Sequence, residues 1–174
     1  TYGCVSMNLK KLSVRQNTFK TKGCQYIQIY PMRGLIELNL SRNQIMDEGV
    51  AKLAEASYLR NLTKLFLDDN QLTATAAVSL GLSQFLTQIT HLSLSYNVIG
   101  KTGLTAIANS GNFANLTHLW VEQNSIEAEG IYALAMSPYM VNLVHLNLKS
   151  NSIGNQGTHR LAIGGLKKLK FMNL

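Results

Sequence analysis

Three histidines, His91, His118 and His145, recur at one fixed interval, each followed directly by Leu. Side chains that recur at one interval and meet at one place could bind zinc, which takes imidazole nitrogens readily. Identical residues on successive strands, however, point the same way and do not converge, and Glu37 is the only carboxylate in that column. No metal is therefore expected. Adjacent imidazoles do invite a pH effect, since two cations formed near their ordinary pKa of about 6.5 would repel, but the default reading of the column is shared descent of duplicated repeats. The stretch Ser95-Tyr96-Asn97-Val98-Ile99-Gly100-Lys101-Thr102 ends in the Gly-Lys-Thr of a phosphate-binding loop. That loop needs a glycine where Ser95 stands, and backbone amides free to cradle phosphate where Val98 and Ile99 are bulky. Nucleotide binding is not expected either. There is no nucleophile elbow, no paired zinc-ligand histidine motif and no Cys/His pair, so neither enzymatic activity nor a cofactor is expected. His159 falls on an outer helix and is expected to be solvated.

The same interval runs through the whole chain. With Leu116 as position 1 of a unit, that position is also held by Leu9, Leu35, Leu62, Ile89, Leu143 and Leu169. A period of about 27 residues, kept this strictly, decides the architecture. In the second unit the pattern reads Leu35, Leu38, Leu40, Asn43, Ile45, Gly49, Leu53, and in the fifth Leu116, Leu119, Val121, Asn124, Ile126, Gly130, Leu134. Positions 4 and 6 are two apart, the period of a strand with one buried face. The Asn at position 9 (17, 43, 70, 97, 124, 151) falls where the chain turns out of the strand. An amide that both donates and accepts can satisfy turning backbone, so stacked copies predict an asparagine ladder. Val50, Leu53 and Ala54 then follow at helical spacing. Position 20 is always small or polar (Gln28, Ala54, Gly81, Ala108, Ala135, Ala162), which predicts close approach of neighbouring helices. Pro31 and Pro138 mark the exit from the helix, which proline cannot continue.

These units resemble leucine-rich repeats of the long-helix, ribonuclease-inhibitor-like kind. The resemblance implies an α/β solenoid, a right-handed β-α superhelix with parallel strands on the concave face and helices on the convex one. Strands about 4.8 Å apart and helices about 8–10 Å apart cannot stack flat, and seven strands would span roughly 29 Å. One domain, 1–174, is expected, with six full repeats starting at 9, 35, 62, 89, 116 and 143 and a partial one from 169. Residues 1–8 read as the tail of a preceding unit, and the chain as a piece of a longer one. Proteins with such repeats include enzyme inhibitors, innate-immune sensors, a GTPase-activating protein and effectors of intracellular bacteria. The uniform copies, with their Leu-Thr-His-Leu phrases, look most like the bacterial effectors. They depart from the ribonuclease inhibitor, whose repeats alternate in length and whose surface is strongly acidic. No catalytic residue of the GTPase-activating relatives can be matched to a position here.

The register aims positions 3, 5, 7 and 8 away from the core. Trp120, the only tryptophan, is thereby placed on the inner wall, with Phe66 and Tyr96 near it and Asp68, Asp69 and Glu122 as an acidic border. Lys64, His91, His118 and His145 occupy position 3 of the same wall. A large aromatic in the middle of such a face is the usual anchor of a protein interface. The expectation is a monomeric, non-enzymatic module that binds a protein on its concave face, cytoplasmic in location, or in the host cytosol for a secreted effector.

Net charge is +7, with six basic and no acidic residues in 1–34, five against nine in 35–148, and five against none in 149–174. Basic ends permit an alternative, a binder of nucleic acid or anionic membrane, although terminal repeats need charged outer faces for solubility alone. Another alternative is an accessory array in a larger enzyme or GTPase regulator. The protein partner is the preferred reading over nucleic acid. No apolar run reaches the roughly 18 residues that a membrane-spanning helix needs. Two cysteines, Cys4 and Cys24, are too few for a disulfide framework and fit a reducing compartment. The sequons at Asn39, Asn61 and Asn115 each straddle a Leu that the repeat itself requires, so they are not read as glycosylation sites.

Overall fold

Leu38, Leu65, Leu92, Leu119 and Leu146 face each other across one parallel sheet, each at 1% exposure or less. The computed structural model describes residues 8–29 and 32–174; Cys4 and Pro31 lie outside these, as does all but the last residue of the predicted leading tail. Among them run β1 (Lys11–Ser13), α1 (Lys20–Ile29), β2 (Glu37–Asn39), α2 (Met46–Ala54), β3 (Lys64–Phe66) and α3 (Ala74–Gly81). They continue as β4 (His91–Ser93), α4 (Gly100–Ala108), β5 (His118–Trp120), α5 (Ala128–Ala135), β6 (His145–Asn147), α6 (Gly154–Ile163) and β7 (Phe171–Asn173). The sheet order is β1 to β7 without a crossover, all pairs parallel and every register a repeat-to-repeat translation. Each helix packs on the next, so strands form one layer and helices the other. Pro138 lies past the end of α5.

The asparagine ladder is present. Asn97 Oδ1 accepts from Asn70 N (2.9 Å) and Leu72 N (3.0 Å), while its Nδ2 donates to Leu67 O, Leu94 O and Ser95 O. Asn43, Asn70, Asn124 and Asn151 repeat most of this pattern.

Two features go beyond expectation. Helices approach closely at position 20, where a Cβ on Gly81 would sit 3.4 Å from Ala106 O, and also at position 15, where one on Gly130 would sit 3.1 Å from Lys101 Cα and one on Gly103 3.3 Å from Ala74 Cα. The position 20 carbonyl also receives a serine from the next repeat. Ser83 Oγ donates to Ala54 O (2.6 Å), Ser110 Oγ to Gly81 O (2.7 Å) and Ser137 Oγ to Ala108 O. The same hydroxyls accept amides of the following turn, such as Leu86 N, Asn112 N and Tyr139 N.

The second is a core column just before each unit, at Met32, Leu59, Leu86, Phe113, Met140 and Leu166, all 8% exposed or less. Leu59, Phe113 and Met140 sit in 3-10 turns that hand the helix over to the next strand.

Candidate functional site: an aromatic platform on the sheet

The strands are short, so only positions 3 and 5 of each point out of the sheet on the side away from the helices. Phe66 on β3 and Trp120 on β5 flank Ser93 on β4. Two strand spacings separate them, roughly 9–10 Å, yet their ring centroids are 6.3 Å apart. They lean together over the small serine, which is 5% exposed. Trp120 also meets His91 (6.1 Å), His118 (5.5 Å) and His145 (5.3 Å). The histidine column is a stack: His91 and His118 lie 4.2 Å apart with 7° between planes, His118 and His145 5.6 Å apart with 14°. Phe171, exposed on β7, extends it at 5.9 Å from His145. The result is a continuous surface of six rings from β3 to β7, with Trp120 half-buried at its centre.

Tyr96 is not in the ring cluster. It stands at the rim, where its hydroxyl donates to Glu122 Oε1 (2.9 Å), and that bond raises the phenol pKa above its ordinary value. Tyr96, Phe66, Trp120, Asp68, Asp69 and Glu122 line one shallow hollow of about 290 Å³, which Arg15 and Arg42 also enter.

Positions 7 and 8 depart from the expected open wall because the strand ends before them. Ser41 and Ser95 at position 7 are buried at 1% and 6%. Asp68, in the same column, is drawn into the wall, accepting from Ser41 Oγ (3.1 Å), Ser95 N (2.9 Å) and Ser93 Oγ. Glu122 accepts from Asn147 Nδ2 (3.1 Å) and lies 3.7 Å from Lys149 Nζ. Asp69 has a positive φ of 52° and an exposed pairing with Arg42 at 3.7 Å, which contributes little. Lys64 shares Glu37 with Lys11, at 3.9 and 3.4 Å. The acidic border is thus already engaged within the protein.

Thr90 and Thr117 are functional neighbours that sequence reasoning did not single out. Each donates its hydroxyl proton to the preceding repeat's carbonyl, Thr90 to Thr63 O (3.1 Å) and Thr117 to Thr90 O (3.0 Å). The same oxygens lie 2.9 Å from His91 Nδ1 and His118 Nδ1. With its one proton spent, each hydroxyl accepts from Nδ1–H, which fixes the imidazole tautomer. The available signal was the Thr-His pair recurring at the repeat interval.

Burial, then His118 and Lys64, pushes the His91 imidazole down to about 4, against a weaker opposing pull from Glu37. His118 is also lowered, by burial first and then by His145 and Lys64. The unfolded chain therefore takes up these protons at higher pH than the folded one. Stability is fully present above the ordinary imidazole pKa of about 6.5 and falls as pH drops toward 4. The denaturant midpoint should decline over that window, by about 1–2 kcal/mol after solvent screening at this half-exposed site. Urea titrations of wild type and His91→Gln at pH 7 and pH 4.5 check this: the variant should lose less stability on acidification.

Lys101, read in the sequence as part of a false phosphate loop, is 2.9 Å from Glu127 and 3.9 Å from Glu129 of the next repeat. The exposed α6 carries His159, as expected. Cys24 is fully buried, and burial pushes its thiol up to about 12, so it is a poor thiolate at neutral pH.

A seven-stranded parallel sheet alternating with helices, with one asparagine rung per strand turn, defines a leucine-rich-repeat solenoid. The Leucine Rich repeat family model matches residues 35–54, 86–108, 114–135 and 139–158, and the chain is a leucine-rich-repeat protein. Its fold is similar to that of an internalin (inlF) from Listeria monocytogenes, at 20% identity and a TM-score of 0.61 over 95% of this chain. It is also similar to an internalin C2 (inlC2) from the same organism, at 24% identity and a TM-score of 0.55 over 94% of this chain and 80% of that one. The chain spans about half the length of the first, 48%. No curated protein matches the sequence. No helix among the described residues is long and apolar enough to cross a membrane.

Proposed function

We propose that this chain is a non-enzymatic protein-interaction module whose concave face holds a protein partner around Trp120. The observation that carries the reading is the ring surface of Phe66, His91, His118, Trp120, His145 and Phe171 on the sheet side. A contiguous aromatic patch is what interface hot spots are made of. The charges beside it are compensated internally, so the patch meets a partner through packing more than through charge. Resemblance to the repeats of bacterial effectors, and the similarity in fold to two Listeria internalins, support a bacterial effector that acts on a host protein.

The test is capture from host-cell lysate with wild type and with Trp120→Ala and Phe66→Ala. A specific partner retained by wild type should bind at least ~30-fold more weakly to Trp120→Ala, the loss of a ~2 kcal/mol hot spot. Undiminished capture by both variants overturns the reading. Capture by the basic ends would instead appear as heparin retention that collapses steeply with salt.

A further inference from the structure

The imidazole stack has an asymmetry in its charge surroundings. One lysine faces it: Lys64 on β3 acts on both His91 and His118, while His118 acts on His91 and His145 on His118. The carboxylates that could answer a new positive charge are committed. Glu37 on β2, whose pull on His91 is the weakest of the influences there, is shared by Lys11 and Lys64. Glu122, beyond β5, is held by Tyr96, Asn147 and Lys149. Asp68, beyond β3, is held by Ser41, Ser93 and Ser95. Phe66, Trp120 and Phe171 complete the surroundings without charge.

The threonines determine where a proton enters. Thr90 and Thr117 keep a proton on Nδ1 of His91 and His118, leaving Nε2 to take the second one. His145 follows Val144 and has no such hydroxyl beside it. Two rings at 4.2 Å and 7° stack well when neutral and repel face to face when both are cations. Trp120 lies against all three rings, so any separation of the stack disturbs the centre of the platform.

We propose that the His91–His118–His145 stack is a proton-operated switch of the concave face: flat and carrying Trp120 when neutral, driven apart on protonation so that the face releases what it holds. The opening follows from the stack alone. The release rests on the reading of this face as a protein-binding surface.

The opening is tested on the isolated chain by following Trp120 emission and the imidazole NMR signals from pH 8 to pH 3. Trp120 emission should change between about pH 6 and pH 3 while far-UV circular dichroism holds steady. The His91 Cε1–H signal should titrate near pH 4, and the ring-current displacement of the stacked protons should collapse with it. His118→Phe keeps a ring in the stack but takes no proton, so most of the emission change should vanish. Flat emission, an unchanged response in His118→Phe, ring currents that survive titration, or unfolding across the same window would each overturn the switch. For release, partner captured at pH 7.5 should elute at pH 3.5 from wild type, with at least a ~4-fold loss of bound material. For His118→Phe, whatever its capture at pH 7.5, the fraction that stays bound at pH 3.5 should be several-fold higher than for wild type. Capture that Trp120→Ala abolishes but pH 3.5 leaves intact in wild type sinks the switch and spares the binding reading. Absence of any captured partner sinks the binding reading, and the emission and NMR titrations then decide the opening.

Discussion

Asn97→Ala should destabilise the protein by about 3–5 kcal/mol, although it removes one small polar side chain. Asn97 is 5% exposed and makes five hydrogen bonds. The three carbonyls it donates to have other donors: Leu67 O receives Asn70 Nδ2, Leu94 O receives Asn124 Nδ2 and Ser95 O receives Asp69 N. The two amides it accepts from, Asn70 N and Leu72 N, depend on its Oδ1 and would be left buried without it. Each such orphan costs about 1–3 kcal/mol, and the void adds to it. The loss cannot stay local, because each repeat is stabilised by its neighbours. Urea unfolding should show a lower midpoint with an unchanged slope. Asn17→Ala is the control: Asn17 is exposed and donates to Val14 O and Arg15 O, so the same substitution there should cost under about 1 kcal/mol. Equal losses at the two positions would mean that the ladder does not act through burial.

The ladder was legible because its residue recurs in all six full repeats and its place, three residues past the second of two apolar residues spaced by two, has one physical use. The outward direction of Trp120 was legible for the same reason: it alternates with Leu119 and Val121, both at 0% exposure. The fate of position 8 was not. Gln16, Arg42, Asp69, Tyr96, Gln123 and Ser150 all have positive φ between 50° and 59°, and not one is glycine. A left-handed residue with a side chain costs about 1 kcal/mol or more. It is held here because its amide bonds the next repeat: Arg42 N to Asp68 O (2.8 Å), Asp69 N to Ser95 O (2.9 Å), Tyr96 N to Glu122 O (2.8 Å). A tertiary contact overrides local preference, which no scan for glycine could detect.

Asp68 teaches a related lesson. As a charge in a column of outward positions it reads as a free acidic border. Its three hydrogen bonds reach Ser41 in one neighbouring repeat and Ser93 and Ser95 in the other, a pairing that needs the side-to-side register as well as the period. The rigid columns therefore do two things at once. They exhaust the polar groups that would otherwise face solvent unpaired, and they leave the rings of the platform as the part of the wall still open to a partner.

The other large effect is expected at Phe113, in a column that the period of Leu and Asn alone does not reveal. Phe113 heads the largest fully buried side chains, at 1% exposure, and closes the turn Gly111–Phe113 that brings the chain from α4 to β5. Its counterparts are Leu59, Leu86 and Met140, so the site accepts any large apolar group and the cost of change is set by volume. Phe113→Ala should cost about 3–5 kcal/mol, from lost burial and the cavity left behind. Phe113→Leu, which installs the neighbours' residue, should cost about 1–1.5 kcal/mol. Trp120, as the only tryptophan, reports unfolding by its emission and makes both measurements direct. If Phe113→Ala lost less than about 1 kcal/mol, the turn would have to collapse freely into the space. The handover from helix to strand would then not be part of the core that fixes β5, and with it the position of Trp120.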